Sequence, residues 1–163
     1  MILFRPAQRT CSFWLALSTA TKYQRRMMHG TPIGKALCAL SIVTGLGIAL
    51  FWMGFYTVGL APKDPPTCYL TFEHSFPPAD SLLATALVVG GILAARKNAI
   101  GPRLLSAGGG ALSFLGLLDA SFNWQNGMYW ISVQDGLLNG IINLWCLAFG
   151  AVLAVTASRS PHP

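Results

Sequence analysis

The sequence predicts an all-α integral membrane protein, an antiparallel bundle of four transmembrane helices with a Pro-rich extracytoplasmic loop. Of its 163 residues, 53% are hydrophobic and only 10% are charged, whereas soluble domains carry about 25% charged residues. Four apolar runs are almost free of charge, as transmembrane helices are. The basic residues also lie in alternate loops between these runs, which is the pattern of multi-pass membrane proteins.

The four predicted helices follow one another closely and form a single transmembrane domain of residues 31–160. The first covers residues 36–61, and the second covers residues 80–95, which is short for a membrane span. The third covers residues 103–122 and follows Pro102, a residue that suits the first turn of a helix. The fourth covers residues 136–157. The turn "RKNAIGPR" makes the second and third helices an antiparallel hairpin.

The first 30 residues predict a basic, flexible N-terminal extension without acidic residues. Three interpretations of this extension are open. It could be a signal peptide, but cleavage would leave a basic start on the outer side. It could be a mitochondrial presequence, which its composition fits. The interpretation we favour is a cytoplasmic extension, with Met27 or Met28 as an alternative initiator.

The loop between the first two helices contains half of the ten prolines, so we expect irregular structure over residues 62–79. Within it, the alternation in "TCYLTF" is compatible with a short strand. The third loop, "NWQNGMYWISVQD", is rich in aromatic residues, which are typical of a membrane–water interface.

The charge distribution predicts the orientation in the membrane. If the four helices alternate in direction, ten of the eleven Lys and Arg residues lie on one side, and all five acidic residues lie on the other with Lys63. Positive loops remain cytoplasmic, so both termini are predicted to be cytoplasmic, in a bacterial inner (plasma) membrane. A nucleic-acid-binding protein has no reason to sort charge in this way, so we expect membrane lipids as partners and no nucleic acid.

Small residues four apart predict how the helices meet. In the third helix, Gly109 precedes Ser113 and Ser106 precedes Gly110, and in the fourth helix Gly136 precedes Gly140. Such pairs let helix backbones approach closely within lipid.

Polar residues collect at the predicted outer end of the helices and form a candidate site. Ionisable groups within a membrane normally face the bundle interior or a wet cavity. Residues four apart share one helix face, so these residues could form one polar mouth beneath the first loop. The candidates are Glu73, His74, Asp80, Asp119, Asn123, Asp135, Asn139 and Asn143.

Each candidate also has a purely structural interpretation. Asp80 and Asp135 stand where helix N-caps are expected. Asn139 and Asn143 could serve as hydrogen-bonding contacts between helices, and His74 could be solvated. Asp119 lies near a helix C-terminus, where the dipole disfavours an anion, so it needs a partner. His74 or an asparagine amide could provide one.

The sequence assigns no catalytic residue, no cofactor and no metal. Metal-ligand spacings, a Gly-rich phosphate loop and a nucleophile elbow do not occur in it. Its four cysteines contain no C-x-x-C pair, which argues against a thiol–disulfide enzyme.

Residues 36–157 resemble small, uncharacterised bacterial inner-membrane proteins with four helices. The segments that carry this resemblance are "FEHSFPPADSLLA", "GLLDASFN" and "NGIINLWCLAFG". In helix count and in its acids and histidine, the chain is also similar to the emopamil-binding and sigma-2-receptor type of protein. That second resemblance implies a bundle that uses acidic residues and histidine to handle sterol-like ligands.

Two functions are therefore predicted. The favoured one is a non-catalytic accessory or small-ligand-binding membrane protein, whose partner is a lipophilic small molecule or another membrane protein. The alternative is a membrane enzyme or proton-coupled carrier that acts on a lipid-soluble substrate through carboxylate and histidine side chains.

Overall fold

The computed structural model describes residues 33–62 and 65–159, and all regular structure in these residues is helical. The predicted extension of residues 1–30 lies outside them. The elements are α1 (Lys35–Thr57), α2 (Tyr69–Glu73), α3 (Phe76–Ala95), α4 (Ile100–Gln125), a 3₁₀ helix (Met128–Trp130) and α5 (Val133–Ser158).

Four helical segments are long and apolar enough to cross a membrane: Lys35–Thr57, Tyr69–Ala95, Ile100–Gln125 and Val133–Ser158. Many large apolar side chains on them are exposed, among them Leu82 at 75% and Val133 at 81%. Contiguous exposed apolar surface is costly in water, but it costs nothing against lipid chains. The length, composition and exposed apolar side chains of these helices therefore indicate a membrane protein.

Close backbone contacts join successive long helices. A Cβ atom on Gly91 of α3 would lie 2.8 Å from the Cys38 carbonyl oxygen of α1, and one on Gly45 of α1 would lie 2.8 Å from the Ala84 carbonyl oxygen of α3. Along this interface, residue numbers fall on α3 as they rise on α1. The α3–α4 contact shows the same order, because Gly101 of α4 lies against Ala94 of α3 and Gly108 lies against Leu87.

The α4–α5 contact also depends on small residues, though only on some of those predicted. A Cβ on Gly109 would lie 2.6 Å from the Ala154 nitrogen, and one on Gly116 would lie 2.6 Å from the Cys146 Cβ. Gly110 and Gly140 have open space beside them, so they contribute no close approach. The first and last long helices also touch, since the Trp145 indole donates to the Thr44 hydroxyl oxygen at 3.2 Å.

The turn between α3 and α4 ends one helix and begins the next within four residues. Lys97 takes the left-handed conformation with φ 59°, and the Asn98 N–H donates to the Leu93 carbonyl oxygen at 2.9 Å. This is the Schellman arrangement that closes a helix C-terminus. The Asn98 Oδ1 then accepts from the Ile100 N–H at 2.9 Å, which starts α4.

Two sequence predictions about the first loop are wrong. The segment "TCYLTF" contributes to helix α2 rather than to a strand, because a helix places Tyr69 and Phe72 on one side, where both join the aromatic core. The second long helix begins at Phe76 rather than Asp80, with a proline in its first turn. Proline loses no hydrogen bond there, since N–H groups of the first turn have no helical partner.

The other helix boundaries differ by a few residues. The first helix ends at Thr57 instead of residue 61, because Gly59 takes a left-handed conformation with φ 74°. The third and fourth helices extend beyond the predicted 103–122 and 136–157 at both ends.

Candidate functional site

Three carboxyl groups from three different helices lie near one another at the end of the structure that contains α2. Glu73 ends α2, Asp80 lies in the second turn of α3, and Asp119 lies near the end of α4. All three are half-buried. The charge of Glu73 interacts with those of Asp80 and Asp119, and Asp80 also interacts with Asp119. We call these three residues the carboxyl cluster.

Asp80 is held by a tryptophan of another helix. The buried Trp52 of α1 donates its indole N–H to the Asp80 Oδ2 at 2.8 Å. The prediction that Asp80 caps α3 is wrong, since Ser75 occupies the cap position. This hydrogen bond joins α1 to α3 at the carboxyl cluster.

The partners of Asp119 are asparagine amides, which the sequence predicts as one of two alternatives, the other being His74. The buried Asn123 donates its Nδ2 to the Asp119 Oδ2 at 3.2 Å, one turn along α4. The Asn143 side chain of α5 also lies beside the Asp119 carboxyl group. Asn143 is only 3% exposed, and its Nδ2 donates to the Tyr129 hydroxyl oxygen at 2.8 Å. These contacts tie Asp119 to the interface between α4 and α5.

An aromatic core lies at the same end of the structure as the carboxyl cluster. A buried group of Trp52, Phe55, Tyr69, Phe76 and Met128 lies at this end of the structure, with Phe72 and Phe122 packed against it. The Phe72 and Phe122 rings stack with centroids 3.8 Å apart. The Tyr69 and Glu73 side chains, one turn apart on α2, are also near enough to interact.

Within residues 33–62 and 65–159, the carboxyl cluster makes no direct contact with three of the predicted site residues, His74, Asp135 and Asn139. His74 is exposed and stacks on Tyr56 with ring centroids 6.1 Å apart, so it is not the partner of Asp119. Asp135 is not the N-cap of α5, because Ser132 takes that position and accepts from the Asp135 N–H at 3.0 Å. Asn139 is half-buried on α5, one turn before Asn143.

Sequence reasoning missed Trp52, Tyr69 and Tyr129, although each contacts a predicted residue of the site. All three appear in the sequence as apolar or interfacial aromatic residues. One signal was available, because an indole N–H or phenol hydroxyl within an apolar helix needs a hydrogen-bond partner. The sequence does not state which partner each one finds.

Neither a metal site nor a disulfide forms within residues 33–62 and 65–159. No group of three His, Cys, Asp or Glu side chains in these residues is placed to hold a metal ion. Cys38, Cys68 and Cys146 are free thiols. Beside the carboxyl cluster lie the Trp52 indole and the amides of Asn123 and Asn143.

Comparison with protein-family models, curated proteins and solved structures finds no match to this chain. The described residues define it as a helical chain with four segments able to cross a membrane.

Proposed function

We propose that this chain is an integral membrane protein whose four long helices cross a bacterial inner membrane as an antiparallel bundle, with both termini cytoplasmic. The order of contacts between successive helices supports the antiparallel arrangement. The charges support the orientation, because the described basic residues gather at one end of the helices and the described acids at the other. The basic residues are Lys35, Arg96, Lys97, Arg103 and Arg159, and the acidic residues are Glu73, Asp80, Asp119 and Asp135.

At its outer end, the protein binds a small lipophilic molecule that carries a positive charge. One observation supports this most strongly: half-buried carboxyl groups from α2, α3 and α4 lie near one another, and two of them contact members of a buried aromatic group, Trp52 and Tyr69. No Lys or Arg among residues 33–62 and 65–159 lies at this end of the helices. A cation pairs with carboxylates and is also attracted to aromatic faces, and an apolar body suits a site reached from lipid.

Binding suits the cluster better than catalysis. Asp80 accepts from an indole and Asp119 from an amide, and these contacts hold the two carboxyl groups in place rather than aligning them with a nucleophile. Such a protein works as a binder or as an accessory to another membrane protein, with membrane lipids around it.

A proton-coupled carrier is the second candidate, and the mutual proximity of Glu73, Asp80 and Asp119 favours it. Adjacent carboxyl groups within a membrane are a common feature of proton pathways. In proteoliposomes, substrate movement that follows an imposed pH gradient would identify this function, whereas binding without transport would identify a binder.

Native mass spectrometry of the protein released from lipid nanodiscs tests the binding function. The wild-type protein is expected to retain a lipophilic cation from its host membrane, and Asp119→Leu is expected to lose it while remaining folded. Gln125→Ala is a matched control, because Gln125 lies on the same helix end, is exposed and contacts Ser121. The proposal fails if no adduct is retained, or if Asp119→Leu and wild-type protein retain the same one.

A further inference from the structure

A groove lies at the opposite end of the structure, between the beginning of α4 and the end of α5. Its volume is about 410 Å³, and it is lined by Pro102, Arg103, Ser106, Ala107, Ala157 and Ser158. Small-molecule sites span about 300–1,000 Å³, so the groove has room for a polar headgroup. From Arg103 to Asp119, α4 rises by about 24 Å, which places this groove far from the carboxyl cluster.

Only positive charges lie at this end among the residues that the structure describes. Arg103 lines the groove, Arg159 directly follows the lining residue Ser158, and Arg96 and Lys97 lie in the turn that leads into α4. All four side chains are exposed. The N-terminus of α4 adds the positive end of a helix dipole, and Arg159 offsets the negative end of α5. The electrostatic environment therefore favours an anion.

The groove also offers hydrogen-bond acceptors beside the arginine. The Ser106 hydroxyl donates to the Ala154 carbonyl oxygen at 3.3 Å, and the Ser158 hydroxyl donates to the Val155 carbonyl oxygen at 3.0 Å. Because each hydroxyl donates within the protein, its oxygen can accept a hydrogen bond from a ligand. Arg103 can pair with a phosphate through two parallel N–H groups.

Apolar side chains continue from the groove along the helix surfaces. Val155 lies one turn before Ser158 on α5 and Val152 lies one turn before Val155, both towards the middle of the helix, and they are 48% and 52% exposed. A ligand held at the arginine could therefore lay an apolar chain on the protein surface. A free phosphate could use only the polar half of this surface.

We propose that this groove binds the headgroup of an anionic phospholipid, with its phosphate on Arg103 and a headgroup hydroxyl on Ser106 or Ser158. Basic pockets between membrane helices are typical sites for anionic lipid headgroups. This inference concerns a site separate from the carboxyl cluster, and requires only that the helices lie in a membrane.

Competition between two lipids tests this proposal. Full-length protein is reconstituted in nanodiscs of phosphatidylcholine with increasing phosphatidylglycerol, and the lipids that remain bound are counted by native mass spectrometry. Wild-type protein is expected to prefer phosphatidylglycerol, and Arg103→Gln is expected to reduce the preference about fivefold. Arg96→Gln removes the same charge at the same end without touching the groove, and is expected to change the preference less than Arg103→Gln does, because salt screens an exposed charge that has no direct contact with the lipid.

A second variant tests the groove itself without altering charge. Ala107→Leu fills the groove and should reduce the preference as Arg103→Gln does, while thermal unfolding confirms that the variant is folded. An equal loss in Arg96→Gln would show diffuse surface attraction and overturn the proposal, as would an unchanged preference in Arg103→Gln and Ala107→Leu. Inorganic phosphate that displaces phosphatidylglycerol completely would identify a soluble anion as the ligand. Asp119→Leu should leave this preference intact, so the two sites fail independently.

Discussion

At the scale of single residues, the contact between Trp52 and Asp80 connects the apolar core to the carboxyl cluster. Trp52 is buried among aromatic rings, yet its indole N–H must find an acceptor, and the Asp80 carboxyl group provides one at 2.8 Å. The same contact gives a half-buried carboxylate a donor. Each residue therefore relieves the desolvation cost of the other.

Trp52→Phe is expected to lower the free energy of unfolding by about 1–3 kcal/mol, because it leaves the half-buried Asp80 carboxyl group without its indole donor. Trp145→Phe gives a comparison at a more exposed tryptophan, since Trp145 is 42% exposed and donates to a hydroxyl at 3.2 Å, and its cost should be about 0.5–1.5 kcal/mol. Unfolding in detergent measures both. A cost for Trp52→Phe no greater than that of Trp145→Phe would contradict the role given to Asp80.

Asp119→Asn and Asp119→Leu are expected to differ in stability. The asparagine can still accept from Asn123 and no longer repels Glu73 and Asp80, so the melting temperature should hardly change. The leucine leaves the buried Asn123 amide without its acceptor, at a cost of about 1–3 kcal/mol. Equal losses for both variants would contradict this interpretation.

The effects of Asp119→Asn and His74→Ala should add independently in a double-mutant cycle. His74 stacks on Tyr56 of α1 and not on Asp119. A coupling energy above about 0.5 kcal/mol would show that the histidine and the carboxyl group interact after all.

Sequence spacing predicts which residues of the candidate site share a helix, but not which residues of different helices contact one another. Asp119 and Asn123 are four apart on one helix, so their proximity could be predicted. The sequence favours a capping role for Asp80, because a carboxylate at a helix start commonly satisfies backbone N–H groups. Its actual partner, Trp52, is 28 residues away in sequence, and no local pattern reports a contact of that kind.

At the scale of elements, neighbouring glycines of α4 have opposite surroundings. A Cβ on Gly109 would lie 2.6 Å from the Ala154 backbone nitrogen, whereas one on Gly110 would have nothing within 4 Å. Gly109→Ala should therefore separate α4 from α5 and cost about 1–3 kcal/mol. Gly110→Ala should be neutral or stabilise by up to about 1 kcal/mol, through helix propensity. Thermal unfolding of the two variants checks this, and a reversed order would contradict the α4–α5 interface.

The existence of the four long helices could be predicted, because each is an apolar run of membrane length. Their ends could not be predicted as well, because turn residues have several uses. The sequence favours a loop at Pro77 and Pro78, but the first turn of a helix tolerates proline equally well. The α2 helix was missed because its five residues are too short for a periodic pattern and because its aromatic side chains are held by tertiary packing.

At the scale of the whole molecule, a chain that starts at Met28 is expected to insert into the membrane and unfold at the temperature of the full chain. Residues 1–27 precede the first membrane-length helix, and terminal segments without a core pattern contribute little to stability. Membrane fractionation and thermal unfolding measure the result. Loss of insertion would show that the segment is a required targeting signal.

The orientation of the four helices is the central claim, because it places the carboxyl cluster outside and the basic groove inside. Cys68 is exposed in the loop before α2, and Arg96 is exposed in the turn after α3. Intact spheroplasts are treated with a membrane-impermeant maleimide. We expect it to label wild-type protein but not Cys68→Ala. It should label Cys11→Ala/Cys68→Ala/Arg96→Cys only after the membrane is permeabilised, because Cys11 of the N-terminal extension would otherwise react as well. Labelling of Cys11→Ala/Cys68→Ala/Arg96→Cys in intact spheroplasts would contradict the orientation and with it the assignment of both sites.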